Sequence, residues 1–331
     1  MRTRGTQKRP GPAGAGRYWW IWVFVGPLVL WTPMRLLGID QGFPLAPLMA
    51  FTPYAAAAAL LVAGVAAALR NWAAAVVAGA ATLCLALAVL PRAVGDGTVS
   101  ADGRRTFVVL AANVHHGTAD PAALVALVDR LHPDLITVEE LTPSFARELD
   151  AAGLGQRLPD SVLETHRNTS GAGLYSSLPM RKLRGPTRFV FRMPRAELSL
   201  PGGAPLRVVG VHPYPPQMNR TGEWEEALAS LPSADHGAPW LLAGDFNATL
   251  DQSQLRDLLD SGYRDAGDVA GKGLEPTFPR EGHLIPPVTI DHVLAEERFG
   301  IVDYGVEELP GSDHRAVWAE LALPEAGANA R

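Results

Sequence analysis

From Tyr18 to Leu90 the chain carries charge at only three places, Arg35, Asp40 and Arg70, and its apolar residues run in three stretches, Tyr18–Leu37, Pro47–Leu69 and Trp72–Leu90. A helix needs about 20 apolar residues to cross roughly 30 Å of hydrocarbon, so each stretch predicts a transmembrane helix. Trp19, Trp20 and Trp22 open the first and Trp72 opens the third. That is where amphipathic indoles settle between lipid and water. Pro27 and Pro33 predict a kink in the first stretch. A cleaved signal peptide fits poorly, because its apolar core spans about 7–15 residues and no further spans would follow it.

Beyond Arg92 polar and apolar positions mix as in a water-facing domain. A linker is expected over 92–103. Thr106–Ala112 and Asp134–Val138 then read as buried strands, followed by Gly173–Ser176, Phe189–Met193, Leu206–Val211, Trp240–Ala243, Val288–Leu294 and Val317–Leu321. Asp120 as N-cap with Pro121 at the first position predicts a helix to Leu131, and further helices are expected near Pro143–Ala151, Arg220–Ala229 and Gln252–Ser261. This order predicts a layered α/β domain over 104–323, with sheets at the centre and helices outside, and a frayed tail at 324–331.

Charge refines the picture. The basic tail, residues 1–17, holds Arg2, Arg4, Lys8, Arg9 and Arg17 with no acid, which predicts a cytoplasmic N-terminus. Three crossings then place the α/β domain outside the cell membrane. Arg70 agrees, while Arg92, Arg104 and Arg105 pull the other way. Setting the five tail cations aside, the 29 Lys and Arg become 24 against 34 Asp and Glu. That balance disfavours a general double-stranded DNA binder, which needs a basic face. Cys84 is the only cysteine, so no intrachain disulfide exists.

Candidate chemistry collects at strand ends: Asn113 after Val108–Ala112, Glu139-Glu140 after Leu135–Val138, His212 after Val208–Val211, and Asp245-Phe-Asn247 after Leu241–Gly244. Strand ends are where a rigid scaffold presents side chains to ligands. Ile290-Asp-His292 and Ser312-Asp-His314 follow. Asp245 and Asn247, two apart, share a side if the backbone is extended, although Asp-x-Asn also suits an Asx-turn. Of Glu139 and Glu140 only one can face a pocket from a strand. His115 and His116 read as loop residues beside the site.

These motifs, over about Arg104–Leu323, resemble the endonuclease/exonuclease/phosphatase superfamily with its DNase-I-like fold, and Gly244-Asp-Phe-Asn247 and Ser312-Asp-His314 carry the resemblance most specifically. With the apolar N-terminal third, the chain is similar to the membrane-bound actinomycete branch linked to vancomycin and teicoplanin resistance. The resemblance implies a four-layered α/β/β/α sandwich, here preceded by three transmembrane helices, that hydrolyses phosphate esters with Mg²⁺, or Mn²⁺ in its place. It assigns Asn113, Glu140 and Asp313 to the metal, with Glu139 standing where relatives carry Gln and expected as a solvated charge. By the same resemblance Asp245 orients or deprotonates the attacking water, Asn247 bonds the phosphate, and His314 takes the water's proton. Asp291 holds the His314 ring, and His212 stabilises or protonates the leaving side. His292, on the opposite face from Asp291, is expected to pack.

The expected partners are a phosphate-ester substrate, lipid-linked rather than nucleic acid, and membrane lipids. Two other readings stand beside this one: a membrane-tethered extracellular nuclease, and a non-catalytic protein that binds cell-wall precursors.

Overall fold

The computed structural model describes residues 18–324 apart from 102, 202–203, 235–236 and 281–283, so the cations of the basic tail and residues 325–331 lie outside the described residues. The chain divides into two units, Met1–Leu37 with Thr52–Val89, and Gly38–Phe51 with Leu90–Arg331.

The first unit is built from helices α1 (Ile21–Leu37), α3 (Thr52–Ala68) and α4 (Trp72–Val89); α2 (Leu45–Met49) belongs to the second. Small side chains lie at the helix contacts: Ala59, Ala66, Ala74 and Ala78 are buried against Ile21, Val25 and Leu28. Large apolar ones point outward, Leu61 and Val76 each 69 % exposed. Thr32 and Thr82 donate their hydroxyls back to the carbonyls of Leu28 and Ala78, which leaves neither seeking a partner elsewhere. Among the described residues one helix, Trp72–Ala93, is long and apolar enough to cross a membrane, and Ile21–Leu37 and Thr52–Ala68 are shorter apolar helices. The expected second stretch, Pro47–Leu69, is not one helix. Its first five residues fall outside α3, because Pro47 to Phe51 fold with the second unit.

Among its described residues the second unit holds twelve strands in two six-stranded sheets. They are β1 (Thr106–Asn113), β2 (Leu135–Glu139), β3 (Asp160–Glu164), β4 (Ala172–Ser176), β5 (Met180–Leu183), β6 (Arg195–Leu198), β7 (Leu206–Val211), β8 (Trp240–Asp245), β9 (Tyr263–Asp265), β10 (Asp291–Glu296), β11 (Gly300–Glu308) and β12 (Arg315–Ala322). One sheet runs β11-β12-β1-β2-β4-β3, the other β5-β6-β7-β8-β10-β9. Strand alternation sorts the layers. Phe107, Val109 and Ala111 of β1 meet Leu241 and Ala243 of β8 in a core between the sheets, while Leu110 and Ala112 face outward onto α5 (Pro121–Leu131) and α6 (Pro143–Ala151). Beneath the other sheet, Leu242 and Val209 pack on Trp224 of α8 (Thr221–Ala229) and Leu255 of α9 (Ser253–Asp260). The result is the expected α/β/β/α sandwich.

Asp120 caps α5 by accepting from the Ala122 N–H at 2.9 Å, as its sequence position predicts. Phe189–Met193, expected as a strand, forms none; its neighbour β6 takes that place in the sheet. The stretch 92–103, expected as a linker, is bonded into the unit. Arg92 is buried and makes two bonds to Asp251, at 2.9 and 2.8 Å, and the Val99 N–H donates to Ile301 O. Arg92 therefore does not act as a free cation beside the third apolar helix.

Candidate active site

Register brings the polar strand ends together. In the parallel pair β1/β2 Asn113 lies beside Glu139, and in the antiparallel pair β8/β10 Asp245 lies beside Asp291. Asn113, Asp245 and Asp291 share the inward parity of Ala111, Ala243 and Val293, so the same alternation that fills the inter-sheet core points these three at its open end. A cleft of about 640 Å³ opens there, within the range of roughly 300–1,000 Å³ common for ligand pockets.

Asp245 is the hub. Its Oδ2 accepts from Asn113 Nδ2 at 3.1 Å and lies 3.8 Å from both His212 Nε2 and His314 Nε2; its Oδ1 accepts from the Asn247 N–H at 2.8 Å. That last bond, with Asn247 at φ 49°, is an Asx-turn, so Asn247 reaches the cleft by turning rather than by extended backbone. Its amide donates to Pro213 O at 3.1 Å and to Asp245 at 3.4 Å, tying the end of β7 to the end of β8. Only glycine fits before Asp245. A Cβ on Gly244, at φ 139°, would stand 2.3 Å from Val211 O and 2.7 Å from Glu139 Oε1.

His314 is held as expected: its Nδ1 lies 2.9 and 3.1 Å from the two oxygens of Asp291. The Ser312 hydroxyl accepts the His314 N–H at 3.0 Å and donates to Asn113 O at 2.7 Å, which locks this loop to β1. Burial alone would depress the His314 pKa, but the Asp291 and Asp245 carboxylates outweigh it and hold it at about 10, so the ring stays protonated at neutral pH and is not the acceptor of the water's proton that was expected. Burial, reinforced by Asp291, pushes Asp245 up in spite of His314. His212 moves the other way, to about 3, because it is fully buried and faces the His314 charge. It is a neutral ring with Nε2 toward Asp245, stacked edge-on against Phe191 at 4.7 Å. A neutral imidazole can donate a hydrogen bond but is a poor source of a full proton, which favours the stabilising half of the role expected for it.

One expectation about the acids needs correction. Glu139 is not a solvated charge but fully buried, since strand parity aims it between the sheets, and among the described residues neither of its oxygens has a hydrogen-bond partner. Burial first, then Asp291 and Asp245, raises its pKa well above the carboxylate range, so it sits there as a neutral acid. Glu140 reaches the cleft from outside the strand, at φ 58°, and accepts from the His116 N–H at 2.7 Å. Asn113 Oδ1 accepts from the His115 N–H at 2.9 Å and keeps its second lone pair, while Nδ2 faces Asp245 and, at 3.5 Å, Glu140. The amide therefore positions the two carboxylates. Asp313 lines the cleft 3.5 Å from His115, and His115 and His116 both line it too.

Backbone strain marks the same place. Of six described non-glycine residues with positive φ, four line the cleft, His115, His116, Glu140 and Asn247, each at a cost of about 1–3 kcal/mol that the surrounding fold must offset. His292 behaves as expected for packing: buried, it contacts Asp265 through Nδ1 at 2.8 Å and Ala248 O through Nε2 at 2.9 Å.

Residues 110–314 match the model of the Endonuclease/Exonuclease/phosphatase family. The chain belongs to this family. It is a metal-dependent phosphoric ester hydrolase, as the family is. Solved structures agree on the fold. Truncated TDP2 of Caenorhabditis elegans is 16 % identical with a TM-score of 0.51, covering 66 % of this chain and 98 % of that one. An endonuclease/exonuclease/phosphatase from Beutenbergia cavernae is 18 % identical with a TM-score of 0.52, covering 67 % and 73 %. TDP2 of D. rerio, complexed with single-strand DNA product, is 16 % identical with a TM-score of 0.53, covering 65 % and 98 %. No curated protein matches the chain.

The family's divalent metal finds suitable donors in the cleft. Glu140, Asp313 and Asp245 line the cleft, and Asp291 is engaged with His314; this surplus of hard oxygen donors over the His314 imidazolium is one that a phosphate anion approaches only if a cation offsets it. One ligand atom each from Asp245, Asp291 and His314 lie within 4.8 Å of one another, though His314 Nδ1 is already engaged by Asp291.

Proposed function

We propose that this enzyme is a multi-pass membrane phosphoesterase, with its N-terminus cytoplasmic and its α/β domain outside, that hydrolyses a lipid-linked phosphate or pyrophosphate of the cell wall, in the glycopeptide-resistance branch of the family. The inverted packing of the first unit carries this reading: alanines inside and large apolar side chains outside suit helices solvated by lipid. Three crossings, two of them by 17-residue helices, go with a basic N-terminal tail on the cytoplasmic side. The acidic balance of the remainder supports a small or membrane-borne substrate over duplex DNA.

In the site, Glu140 and Asp313 would hold the metal, Mg²⁺ by preference, which supplies positive charge for the phosphate and its leaving oxygen. Asp245, ringed by Asn113, Asn247, His212 and His314, is the base that orients water and takes its proton. His314 is the imidazolium that faces the phosphate charge, with Asp291 fixing its ring. His212 donates its Nε2 hydrogen toward the leaving side, and Asn247 positions Asp245.

The nuclease reading rests on the fold that the chain shares with TDP2, of which one structure holds a DNA product. A panel of polyprenyl phosphates, phospholipids, nucleotides and DNA, run with Mg²⁺, with Mn²⁺ and with EDTA, separates the two. The expected result is phosphate release from lipid phosphates that EDTA abolishes. Cleavage of DNA with no lipid substrate consumed would replace this reading by the nuclease.

A further inference from the structure

Residues Gly38–Phe51 lie in sequence between two apolar helices but fold with the α/β unit. Their attachments are specific. Asp40, fully buried, accepts the Ser253 N–H at 2.8 Å and the Ser253 hydroxyl, so it satisfies the first turn of α9 from a distant part of the chain. The Gly42 N–H donates to Glu225 at 2.7 Å, and Gln252 Nε2 donates to Ala46 O at 2.9 Å. Ala46 is buried in the core beneath the second sheet.

What this anchorage presents is a wall. Pro47, Ala50 and Phe51 line the same cleft as Glu140, Asp245, Asn247 and His314, and Phe191 and Ile285 line it too. Apart from the buried Asp40 the segment has no charged side chain, and Phe43 and Leu48 keep 47 % and 42 % of their surface exposed. Phe51 is followed directly by α3. The wall is uncharged and is tied down by four hydrogen bonds that involve a side chain and by a buried alanine, which suits an apolar part of the substrate beside the phosphate.

We infer that Pro47, Ala50 and Phe51 form the subsite that receives the first carbons of a hydrocarbon chain esterified to the scissile phosphate, and that this segment sets the enzyme's preference for long-chain lipid phosphates. The inference rests on the lipid-phosphate reading above and assigns it residues. The polar strand ends engage the phosphate while the apolar wall removes the adjacent methylenes from water.

The test uses the full-length protein in detergent micelles with metal present. A long-chain alkyl phosphonate, which cannot be hydrolysed, carries a diazirine near its phosphorus; after irradiation the label is mapped by mass spectrometry. Labelling within Pro47–Phe51 that the same phosphonate without diazirine suppresses is expected. Label confined to other segments overturns the subsite. In parallel, the ratio of kcat/KM for long-chain over short-chain phosphate esters is measured for wild type and Ala50→Trp, with thermal melting to check folding. An approximately tenfold fall in that ratio is expected, and an unchanged ratio in a folded variant also overturns the subsite. The two readings fail separately. Lipid phosphates turned over at an unchanged ratio leave the substrate class standing without this wall, whereas label at Pro47–Phe51 with no lipid phosphate hydrolysed leaves the wall and removes the substrate class.

Discussion

The cleft has a polar wall and an apolar one, and the two are built by different means. Asn113, Asp245 and Asp291 project from central strands whose register is fixed by paired neighbours on both sides and whose parity is fixed by the inter-sheet core. Slipping any of these strands by one residue would turn its whole core face outward, so the positions of the catalytic groups are tied to the stability of the sandwich itself. Pro47, Ala50 and Phe51 stand instead on a 38–51 segment held by Asp40, Gly42 and Ala46. Chemistry is thus placed on the most over-determined part of the fold, and selectivity on a segment outside the sheets.

Breaking the polar wall should have the largest effect. Asp245→Ala or His314→Ala should lower kcat on any accepted phosphate ester by about 10²–10⁴, because a base or a charge-stabilising imidazolium is lost, with thermal melting to check that the variant is folded. A variant that kept more than a tenth of wild-type kcat would remove that residue from the chemistry. Asp291→Asn, which keeps shape but not charge, should cost about 10–100-fold and lower the pH at which His314 loses its proton.

The pH profile sharpens the same wall. Asp245 has a raised pKa, so it is neutral at low pH and becomes a usable base only as pH rises through about 7. His314 is raised to about 10, so its imidazolium persists through neutrality and is lost above that. Activity should therefore climb about tenfold per pH unit on the acid side, level off, and fall in alkali. A rate that instead rises with the titration of an ordinary histidine and never falls would return the role of base to His314.

The smallest effect belongs to the apolar wall's attachment. Asp40→Ala removes the acceptor at the start of α9 and should cost about 0.5–2 kcal/mol in urea unfolding of the α/β unit. It should also lower the long-chain preference while leaving hydrolysis running. An equal loss on every substrate would mean that the segment supports the catalytic wall and is not separate from it.

The strands readable from sequence were those buried on both faces. β1, β2, β4, β7 and β8 are apolar runs that lead into polar groups and β12 is one that follows them, whereas β3, β5, β9 and β11 are sheet edges with one wet face or very short length, and carry too weak a pattern to find. The motif residues were legible because chemistry restricts them to a few side-chain types at strand ends. The wall residues Phe191, Phe278, Pro47 and Phe51 were not, since an aromatic or proline in a loop looks alike whether it packs, turns or lines a cleft.

Periodicity and motif spacing, which are local properties, are enough to read an apolar N-terminal third ahead of a layered α/β domain and to mark Asp245, Asn247 and His314, to which the family resemblance added Asp291 and the hydrolase activity. The folded structure alone shows that Glu139 is buried with its pKa raised, that Asn113 turns its nitrogen to the carboxylates, and that His212 is neutral. It also decided that Pro47 to Phe51 leave the second apolar stretch to wall the cleft. Each of these depends on burial and on partners far away in the chain, and neither quantity exists until the sheets and their loops have closed on one another.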